Sequence, residues 1–308
     1  MRVCAIDIGS NSVRSLVADV TGGGEIHSAG RDLEITRLSE NMERSGAITP
    51  AAAERTIRAL EKQFSTGKRM NAQRFVVFGT YALRRASNLL AFLEKARLAT
   101  GHEVLVLDGE QEAAWIYRGV LLALGAPSKK ASIVDIGGGS TELIIAGGGT
   151  TPLLKSLGLG CVRLTERFIV SDPPQNAEME SLRSFVADEL QRNIGETPLR
   201  GKGLIGAGGT ITTAAVLLMG LKRYKPDVIH GCILELNKII KITDLLAGIS
   251  LNQRKKLPCL EERADIIIAG LIILQEVMKL IRSTEIMVSD EGILYGAVMS
   301  VVKSSRNR

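Results

Sequence analysis

Apolar and polar positions alternate along the first part of the chain in patterns that predict short strands followed by helices. Apolar runs at residues 2–8 and 13–20, with a looser one at about 25–38, are typical of strands. An amphipathic period over residues 50–64 predicts a helix, with Thr49 in the place of its N-cap. The pattern then predicts a buried strand at 74–80, a helix up to about Thr100 ended by Gly101, a strand at 103–109, and a helix over 109–125.

The second part of the chain begins the same pattern again. From Ala131 a strand, a glycine-rich turn, a strand, a second glycine turn and another strand follow one another. Helices are predicted at about 160–169 and 175–193, and residues 201–220 predict a short strand, a glycine turn and a helix. The remaining predicted elements are short strands near 228–234 and 285–288 between helices, and a buried helix over the apolar run IIIAGLIIL at 266–274.

Two hairpins in the chain share one sequence pattern. DIGSNSVR begins at Asp7 and DIGGGSTE begins at Asp135, each after an apolar run. In both, a serine stands five residues after the aspartate, a second apolar run follows, and a glycine cluster ends it. The repetition predicts an ancient duplication, which gives an α/β protein with two domains, residues 1–125 and 126–308, that face each other across a central cleft. APSKK at 126–130 is the predicted joint.

Composition and charge narrow the class of protein. The 308 residues are enough for two domains, and 45% hydrophobic with 23% charged residues is typical of a globular protein. The longest apolar run is about half a membrane span. Because the chain begins directly in a strand pattern and its four cysteines have no paired spacing, we expect a reducing cytoplasm and neither a disulfide framework nor a zinc site. The net charge of +6 favours an anionic partner, and we expect neither nucleic acid nor a membrane as a partner.

Three glycine turns are candidates for binding phosphate. Glycines have no Cβ and let a turn bend until its backbone N–H groups converge on one anion, and neighbouring hydroxyl groups add donors. The third turn, GAGGT at 206–210, leads directly into a helix whose N-terminal end favours an anion. Each turn alone is equally consistent with an ordinary tight turn, but three of them with a duplication favour a row of bound phosphates. The predicted phosphate-binding residues are Ser10, Asn11, Ser12, Gly137, Gly138, Gly139, Ser140, Thr141, Gly208, Gly209 and Thr210.

Acidic residues beside these turns indicate a divalent cation. Asp7 and Asp135 stand at the ends of the strands that lead into two turns, where a carboxylate can hold Mg²⁺, or Mn²⁺ in its place, directly or through water. Glu142, on the strand that leaves the second turn, faces either the cleft or the solvent. The three histidines are isolated and form no competing cluster.

Hydrolysis of a phosphoanhydride also needs a base that activates water. Glu110 and Glu112 open the helix that follows the strand at 103–109, where a carboxylate can face the cleft. An acid in the first turn of a helix is equally consistent with stabilisation of the helix dipole, and the residues alone do not choose between the two glutamates.

Seven motifs, in their order along the chain, resemble those of one family. They are DIGSNSVR (7–14), GTYALRRASN (79–88), GEQEAAWIYRGV (109–120), DIGGGSTE (135–142), KSLGLGCVRLTERF (155–168), GAGGTITT (206–213) and ERADIIIAG (262–270). In this order they resemble the exopolyphosphatase/guanosine pentaphosphate phosphohydrolase (Ppx/GppA) family over essentially the whole chain. The resemblance implies the short form of that family, with two actin-like (ribonuclease H-like) domains of the sugar kinase/Hsp70/actin superfamily. It also implies that the last helix, from about residue 297, packs back on the first domain.

The resemblance also implies roles for particular residues. The catalytic base of the family falls on Glu112, and the acids that hold Mg²⁺ and orient the water fall on Asp135 and Glu142. Arg84 falls on an arginine expected to clamp a phosphate with its planar guanidinium. Three positions depart from the family pattern: Gln111 stands where the family has Glu, and Leu294 and Tyr295 stand where it has Arg and Glu.

The favoured hypothesis is a Mg²⁺-dependent exopolyphosphatase that hydrolyses the terminal phosphate of inorganic polyphosphate processively. The alternative is a guanosine pentaphosphate (pppGpp) 5′-phosphohydrolase, so the expected partner is polyphosphate or guanosine penta- or tetraphosphate. A kinase or ATPase of the same superfamily remains open, as do a homodimer and a non-catalytic polyphosphate or nucleotide sensor, which Gln111 and Leu294 motivate. Three basic clusters are candidates to bind a long polyanion: Lys129–Lys130, Lys222–Arg223–Lys225 and Arg254–Lys255–Lys256.

Overall fold

The structure, a computed structural model, describes residues 1–125, 130–147, 150–195 and 203–306. Residues 126–129 of the predicted joint, with Lys129 of the first basic cluster, lie outside the described residues. The chain divides into two compact units, Met1–Gly119 with Gly292–Arg308 (unit 1) and Val120–Glu291 (unit 2). The domain limits at residues 125 and 126, and a cleft between the domains, stay predictions.

Unit 1 contains a five-stranded mixed sheet. Its strands are β1 (Arg2–Ile8), β2 (Ser12–Val20), β3 (Ile26–Ile35), β4 (Arg74–Gly79) and β5 (Val104–Val106). They lie in the order β3-β2-β1-β4-β5, with β2 antiparallel to both of its neighbours and β4 parallel to β1 and β5. Residues 3–8 of β1 are all buried. Since alternate side chains of a strand point to opposite faces, both faces of the sheet are covered at β1.

Two of the helix ends in the first part of the chain are those that the sequence predicts. They are α1 (Met42–Ser45), α2 (Pro50–Arg69), α3 (Tyr81–Arg85), α4 (Leu89–Thr100) and α5 (Gly109–Leu124). The predicted N-cap of α2 is confirmed, because the Thr49 hydroxyl accepts a hydrogen bond from the N–H of Ala52 at 3.2 Å. Gly101 ends α4 in the left-handed conformation with a φ of 73°, as predicted.

Two helix limits differ from the prediction. Helix α2 continues past residue 64 to Arg69. Gly67 lets this last turn lie close to the sheet, because a Cβ on Gly67 would come within 2.7 Å of the Phe75 ring. The helix predicted up to Thr100 is interrupted between α3 and α4. The Asn88 side chain makes two hydrogen bonds of 2.9 Å with the backbone of Ile48, and it stands at the break.

Unit 2 contains a six-stranded mixed sheet. Its strands are β6 (Ser132–Ile136), β7 (Thr141–Gly147), β8 (Thr150–Leu157), β9 (Leu204–Ala207), β10 (Ile233–Glu235) and β11 (Glu285–Val288). They lie in the order β10-β11-β9-β6-β7-β8. The sequence predicts a strand near 228–234, but β10 begins only at Ile233. Pro226 starts a short helix, Pro226–Ile229, before it.

The two sheets repeat one arrangement, as the duplicated hairpin predicts. The order β3-β2-β1-β4-β5 in unit 1 matches β8-β7-β6-β9-β11 in unit 2. In each, the hairpin strands are antiparallel, a third antiparallel strand lies outside them, and two parallel strands lie on the other side. Strand β10 is an addition at the edge of the second sheet.

Helices cover the second sheet. They are α6 (Cys161–Phe168), α7 (Asn176–Ile194), α8 (Gly209–Leu218), α9 (Pro226–Ile229), α10 (Leu236–Ala247), α11 (Leu251–Arg254) and α12 (Ile267–Ile281). Every residue of α12 from 267 to 278 is buried, which confirms the buried helix predicted from IIIAGLIIL. In the part of the chain that the structure describes, no helix has the length and apolar character that a membrane crossing requires.

The last helix, α13 (Ile293–Arg306), packs against β1, β2 and β4 of unit 1. It also crosses α5 at a distance that only glycine allows. A Cβ on Gly296 would lie 2.0 Å from the carbonyl oxygen of Trp115, and a Cβ on Gly119 would lie 1.9 Å from the carbonyl oxygen of Gly292. The backbones of the two helices are therefore in direct contact at this crossing.

We expect Gly296→Ala to lower the free energy of unfolding by about 1–3 kcal/mol, because the added methyl group forces α13 away from the α5 backbone. The measurement is the midpoint of thermal or urea unfolding. Gly22→Ala is the matched control, since a Cβ there would have nothing within 4 Å. Equal midpoints for the two variants would show that the crossing tolerates a larger separation.

Candidate active site

The first turn joins β1 to β2 and is closed by one backbone hydrogen bond. The N–H of Gly9 donates to the carbonyl oxygen of Ser12 at 2.9 Å. Ser10, Asn11 and Ser12, all predicted to bind phosphate, are buried. The side-chain Nδ2 of Asn11 makes no hydrogen bond within the described residues. A buried donor without a partner costs about 1–3 kcal/mol, so this amide is suited to donate to a bound anion.

Residues 36–39, which the sequence does not mark, hold the first turn in place. The N–H groups of Thr36 and Arg37 donate to the carbonyl of Asn11 at 3.0 and 2.9 Å, and the N–H of Ser39 donates to the carbonyl of Ser10 at 3.0 Å. Arg37 has a left-handed backbone with a φ of 50°, which is uncommon for a residue other than glycine. This segment is part of the site because it fixes the carbonyl groups of the turn.

Asp7 is already paired within its own hairpin. It lies directly opposite Arg14 in the register of β1 and β2, and the guanidinium Nη2 of Arg14 donates to its Oδ2 at 2.5 Å. The other oxygen, Oδ1, is buried and accepts no hydrogen bond within the residues described. Because Arg14 offsets the charge of Asp7, Asp7 is a weaker candidate for a metal ligand than the sequence suggests.

The predicted base and the predicted phosphate clamp are in contact with each other. Glu112 lies in the first turn of α5 and Arg84 in the last turn of α3, and the Arg84 Nη1 donates to the Glu112 Oε2 at 2.6 Å. The two side chains are 8% and 19% exposed, so the pair is largely removed from water. Glu110, the other acid of this helix start, is exposed. The structure therefore distinguishes the two glutamates by burial and contact, and Glu112, on which the family resemblance falls, is the buried one.

The second turn joins β6 to β7 and is bound by the N-terminus of α6. The N–H of Gly137 donates to the carbonyl of Ser140 at 2.9 Å. The N–H groups of Cys161 and Val162 donate to the carbonyls of Gly137 and Gly138 at 3.0 and 2.9 Å. In a planar trans peptide the N–H points away from the carbonyl, so the N–H groups that follow these carbonyls point away from α6. This orientation suits the amides of the turn to bind an anion.

Gly160, a residue of the KSLGLGCVRLTERF motif for which no role is predicted, lies in direct contact with this turn. A Cβ on Gly160 would come 2.2 Å from the carbonyl oxygen of Gly138 and from the carbonyl carbon of Gly139. Next to it, the hydroxyl of Thr141 donates to the carbonyl of Leu159 at 2.5 Å. The proton of Thr141, predicted as a donor to phosphate, is therefore engaged within the protein.

Asp135 and Glu142 form a buried pair of acids. They lie directly opposite each other in the register of β6 and β7, which places both side chains on one face of the sheet. Asp135 is 8% exposed and Glu142 is 2% exposed, so the alternative of a solvent-facing Glu142 is wrong. The hydroxyl of Ser156, the residue opposite Glu142 on β8, donates to Glu142 Oε1 at 2.7 Å.

The third turn lies against the second. Gly208 has a φ of 88°, and a Cβ on it would lie 2.3 Å from Oδ1 of Asp135. A Cβ on Gly209 would lie 2.2 Å from the guanidinium Nη2 of Arg263, which places this cation at the start of α8. Thr210 is buried beside Gly270 of α12. Within unit 2 the structure therefore brings together the second turn, the third turn, the two acids and Arg263, a residue of the ERADIIIAG motif that had no predicted role.

This donor set fits Mg²⁺. Mg²⁺ is commonly bound by one or two carboxylates together with water and phosphate oxygens, and Asp135 and Glu142 supply two buried carboxylates beside two glycine turns. Among the described residues, no group of three or more His, Cys, Asp and Glu side chains lies close enough to hold a metal by itself. The site therefore matches a cation whose coordination is completed by substrate oxygens and water.

Cys161, the first residue of α6, is buried. Burial raises the pKa of the Cys161 thiol, and the nearby Arg263 only partly opposes this effect, so Cys161 is a neutral packing group and not a nucleophile.

Arg254, predicted to bind a polyanion with its neighbours, is 3% exposed and donates to Asp172 and to the Leu246 carbonyl at 3.2 Å. Arg254 is therefore a structural residue, whereas Lys255 and Lys256 are exposed.

Two mixed sheets of the same order, each opened by an Asp-Gly hairpin, define a two-domain α/β protein of the actin-like class. Comparisons with known proteins agree. The Ppx/GppA phosphatase family matches residues 16–305. The chain belongs to this Ppx/GppA phosphatase family.

Individual relatives span most of the chain. Exopolyphosphatase 2 of Mycobacterium tuberculosis is 32% identical over 97% of this chain and 98% of its own length. The guanosine-5′-triphosphate,3′-diphosphate pyrophosphatase of Vibrio atlanticus is 28% identical over 98% of this chain, but only 59% of its own length is covered. Among solved structures, the Aquifex aeolicus family member has a TM-score of 0.81 at 32% identity, with 99% of this chain and 98% of that chain covered. An exopolyphosphatase from Cytophaga hutchinsonii has a TM-score of 0.89 at 25% identity, with 99% and 98% covered.

We expect Gly160→Ala to lower the rate of phosphate release by tenfold or more, because its methyl group would displace the backbone of the second turn. The measurement is orthophosphate released from polyphosphate, with the unfolding midpoint recorded alongside. Gly248→Ala is the control in the same unit, since a Cβ there would meet its neighbours at an ordinary 3.5 Å. Full activity of Gly160→Ala would mean that the turn does not need its observed position.

Proposed function

We propose that this protein is a Mg²⁺-dependent exopolyphosphatase that releases orthophosphate from the end of inorganic polyphosphate, one phosphate after another. As a member of the Ppx/GppA phosphatase family, the chain is a phosphoanhydride hydrolase. The observation that carries the proposal is the buried pair Asp135 and Glu142, which lies beside two glycine turns and the guanidinium of Arg263. Buried acids beside anion-binding amides are the groups that a phosphate and its cation require together.

The glycine turns bind the phosphates of the chain. Amides of the second turn, whose carbonyls are tied to α6, donate to phosphate oxygens, and the start of α8 adds its N-terminal amides and the charge of Arg263. In unit 1 the buried amide of Asn11 donates in the same way. Such donors are fixed before substrate arrives, so they stabilise the charge that builds on the transferred phosphoryl group without reorganising.

Glu112 acts as the base. Its carboxylate accepts a proton from the attacking water. Because Glu112 is buried, this carboxylate has little contact with bulk water. Asp135 and Glu142 would hold Mg²⁺, which when bound supplies positive charge that offsets the charge of the phosphate oxygens. Ser156 fixes the orientation of Glu142 through its hydrogen bond of 2.7 Å.

Polyphosphate is favoured over a nucleotide as the substrate. The relative named exopolyphosphatase matches this chain over nearly its whole length, whereas the guanosine-5′-triphosphate,3′-diphosphate pyrophosphatase has a further part that this chain does not cover. The basic residues Lys222, Arg223, Lys225, Lys255 and Lys256 are exposed and suited to a polyanion. The pppGpp 5′-phosphohydrolase activity remains the second candidate, because the same turns would bind a triphosphate.

We expect Glu112→Gln to lower kcat for phosphate release by about 10²- to 10⁴-fold, since it removes the group that accepts the proton of the water. Binding of polyphosphate, measured by competition or calorimetry, should be retained. Glu110→Gln is the matched control, because Glu110 is exposed in the same helix turn. If Glu112→Gln keeps full activity, the proposed base is wrong.

We expect kcat/KM for polyphosphate to exceed kcat/KM for pppGpp by tenfold or more, because a run of phosphates occupies more of the amide turns and basic residues than one triphosphate does. The measurement is orthophosphate release from polyphosphate, pppGpp and ATP under one set of Mg²⁺ conditions. A higher kcat/KM for pppGpp would make the second candidate the function. Release from neither anion, with binding of either retained, would favour a sensor.

A further inference from the structure

Arg84 makes protein contacts that differ from those expected of a phosphate clamp. Its Nη1 donates to the backbone carbonyl of Leu107 at 2.8 Å and to Oε2 of Glu112 at 2.6 Å. The Nη1 group of an arginine carries two hydrogens. Both are therefore engaged by groups of the protein itself.

The contact with Leu107 anchors the guanidinium at a fixed place in unit 1. Leu107 is 4% exposed, and its own N–H donates to the carbonyl of Gly79 at 3.0 Å, at the end of β4. Arg84 therefore joins the ends of two strands to the first turn of α5. Such an anchor restricts where the guanidinium can lie and which side chains it can reach.

The contact with Glu112 restrains that carboxylate. The Nη1 group of Arg84 lies 2.6 Å from Oε2 of a side chain that is only 8% exposed. A charge-assisted hydrogen bond of this kind restricts the torsions of the glutamate, which otherwise samples several rotamers. The contact therefore acts on the orientation of the water-activating group.

We propose that Arg84 is a positioning residue, which orients the Glu112 carboxylate as the base through its Nη1 group. This inference rests on the proposed function, because the role of Glu112 as base is itself part of that proposal. It differs from the phosphate clamp that the family resemblance implies for Arg84.

The first test separates kcat from KM. We expect Arg84→Gln to lower kcat by about 10- to 100-fold, within the range of general-base catalysis, while KM for polyphosphate changes less than twofold. Arg84→Lys should restore part of kcat, since its ammonium group can still donate a hydrogen bond to the Glu112 carboxylate. Arg85→Gln is the matched control, because Arg85 is the next residue of α3 and is exposed.

The second test is a double-mutant cycle of Arg84→Gln and Glu112→Gln. A residue that acts only through Glu112 has nothing left to position in the Glu112→Gln background, so the second substitution should change the residual rate less than twofold. Additive effects on the rate, or a tenfold rise of KM with an unchanged kcat in Arg84→Gln, would overturn the inference and restore the clamp. These results are distinguishable from failure of the proposed function, in which Glu112→Gln alone leaves the rate unchanged. Unfolding midpoints identify a variant that is merely unstable, and Arg84→Lys then carries both tests.

Discussion

The antiparallel register of the two hairpins decides which side chain stands opposite each aspartate. In unit 2 the register places Glu142 opposite Asp135, and in unit 1 it places Arg14 opposite Asp7. Two buried acids side by side repel each other and favour a bound cation, whereas a buried acid beside an arginine is already neutralised. The duplicated hairpin thus has two electrostatic forms, and the pair of acids in unit 2 is the better suited of the two to a bound cation.

Local patterns predict the parts of the fold that neighbouring residues determine. The strands, the glycine turns, the Thr49 cap and the buried helix at 267–278 follow from apolar periodicity and from the few residue types that a turn or cap accepts. The likeness of the two sheets also follows, because a repeated hairpin pattern implies a repeated arrangement. These elements need only short-range information, which the sequence contains directly.

The contacts that make the site depend on residues far apart in the chain. Gly160 under the second turn, Arg263 against Gly209, and residues 36–39 around the first turn are each brought in by the packing of another element. No periodicity marks them, because each is defined by the distance between backbones and not by its neighbours in sequence. The same reason leaves Glu110 and Glu112 equivalent in the local pattern, and only the family resemblance, before the contact with Arg84, separates them. The sequence therefore predicts which groups the site contains better than it predicts what each group touches.

One departure from the family pattern, Gln111, has a structural explanation at the start of α5. The Gln111 side chain accepts a hydrogen bond from the N–H of Asp108 at 3.1 Å, and Asp108 accepts one from the N–H of Gln111 at 2.8 Å, which together cap the start of α5. A glutamate and a glutamine perform this capping equally well, so Gln111 preserves the helix start that carries Glu112 and removes one negative charge beside it. Tyr295 lies on α13 with its ring 5.9 Å from the guanidinium carbon of Arg31 on β3, and nothing in the described residues explains the change at Leu294. Gln111 therefore gives no reason to prefer a non-catalytic sensor, because it keeps the capping of the helix that carries the proposed base.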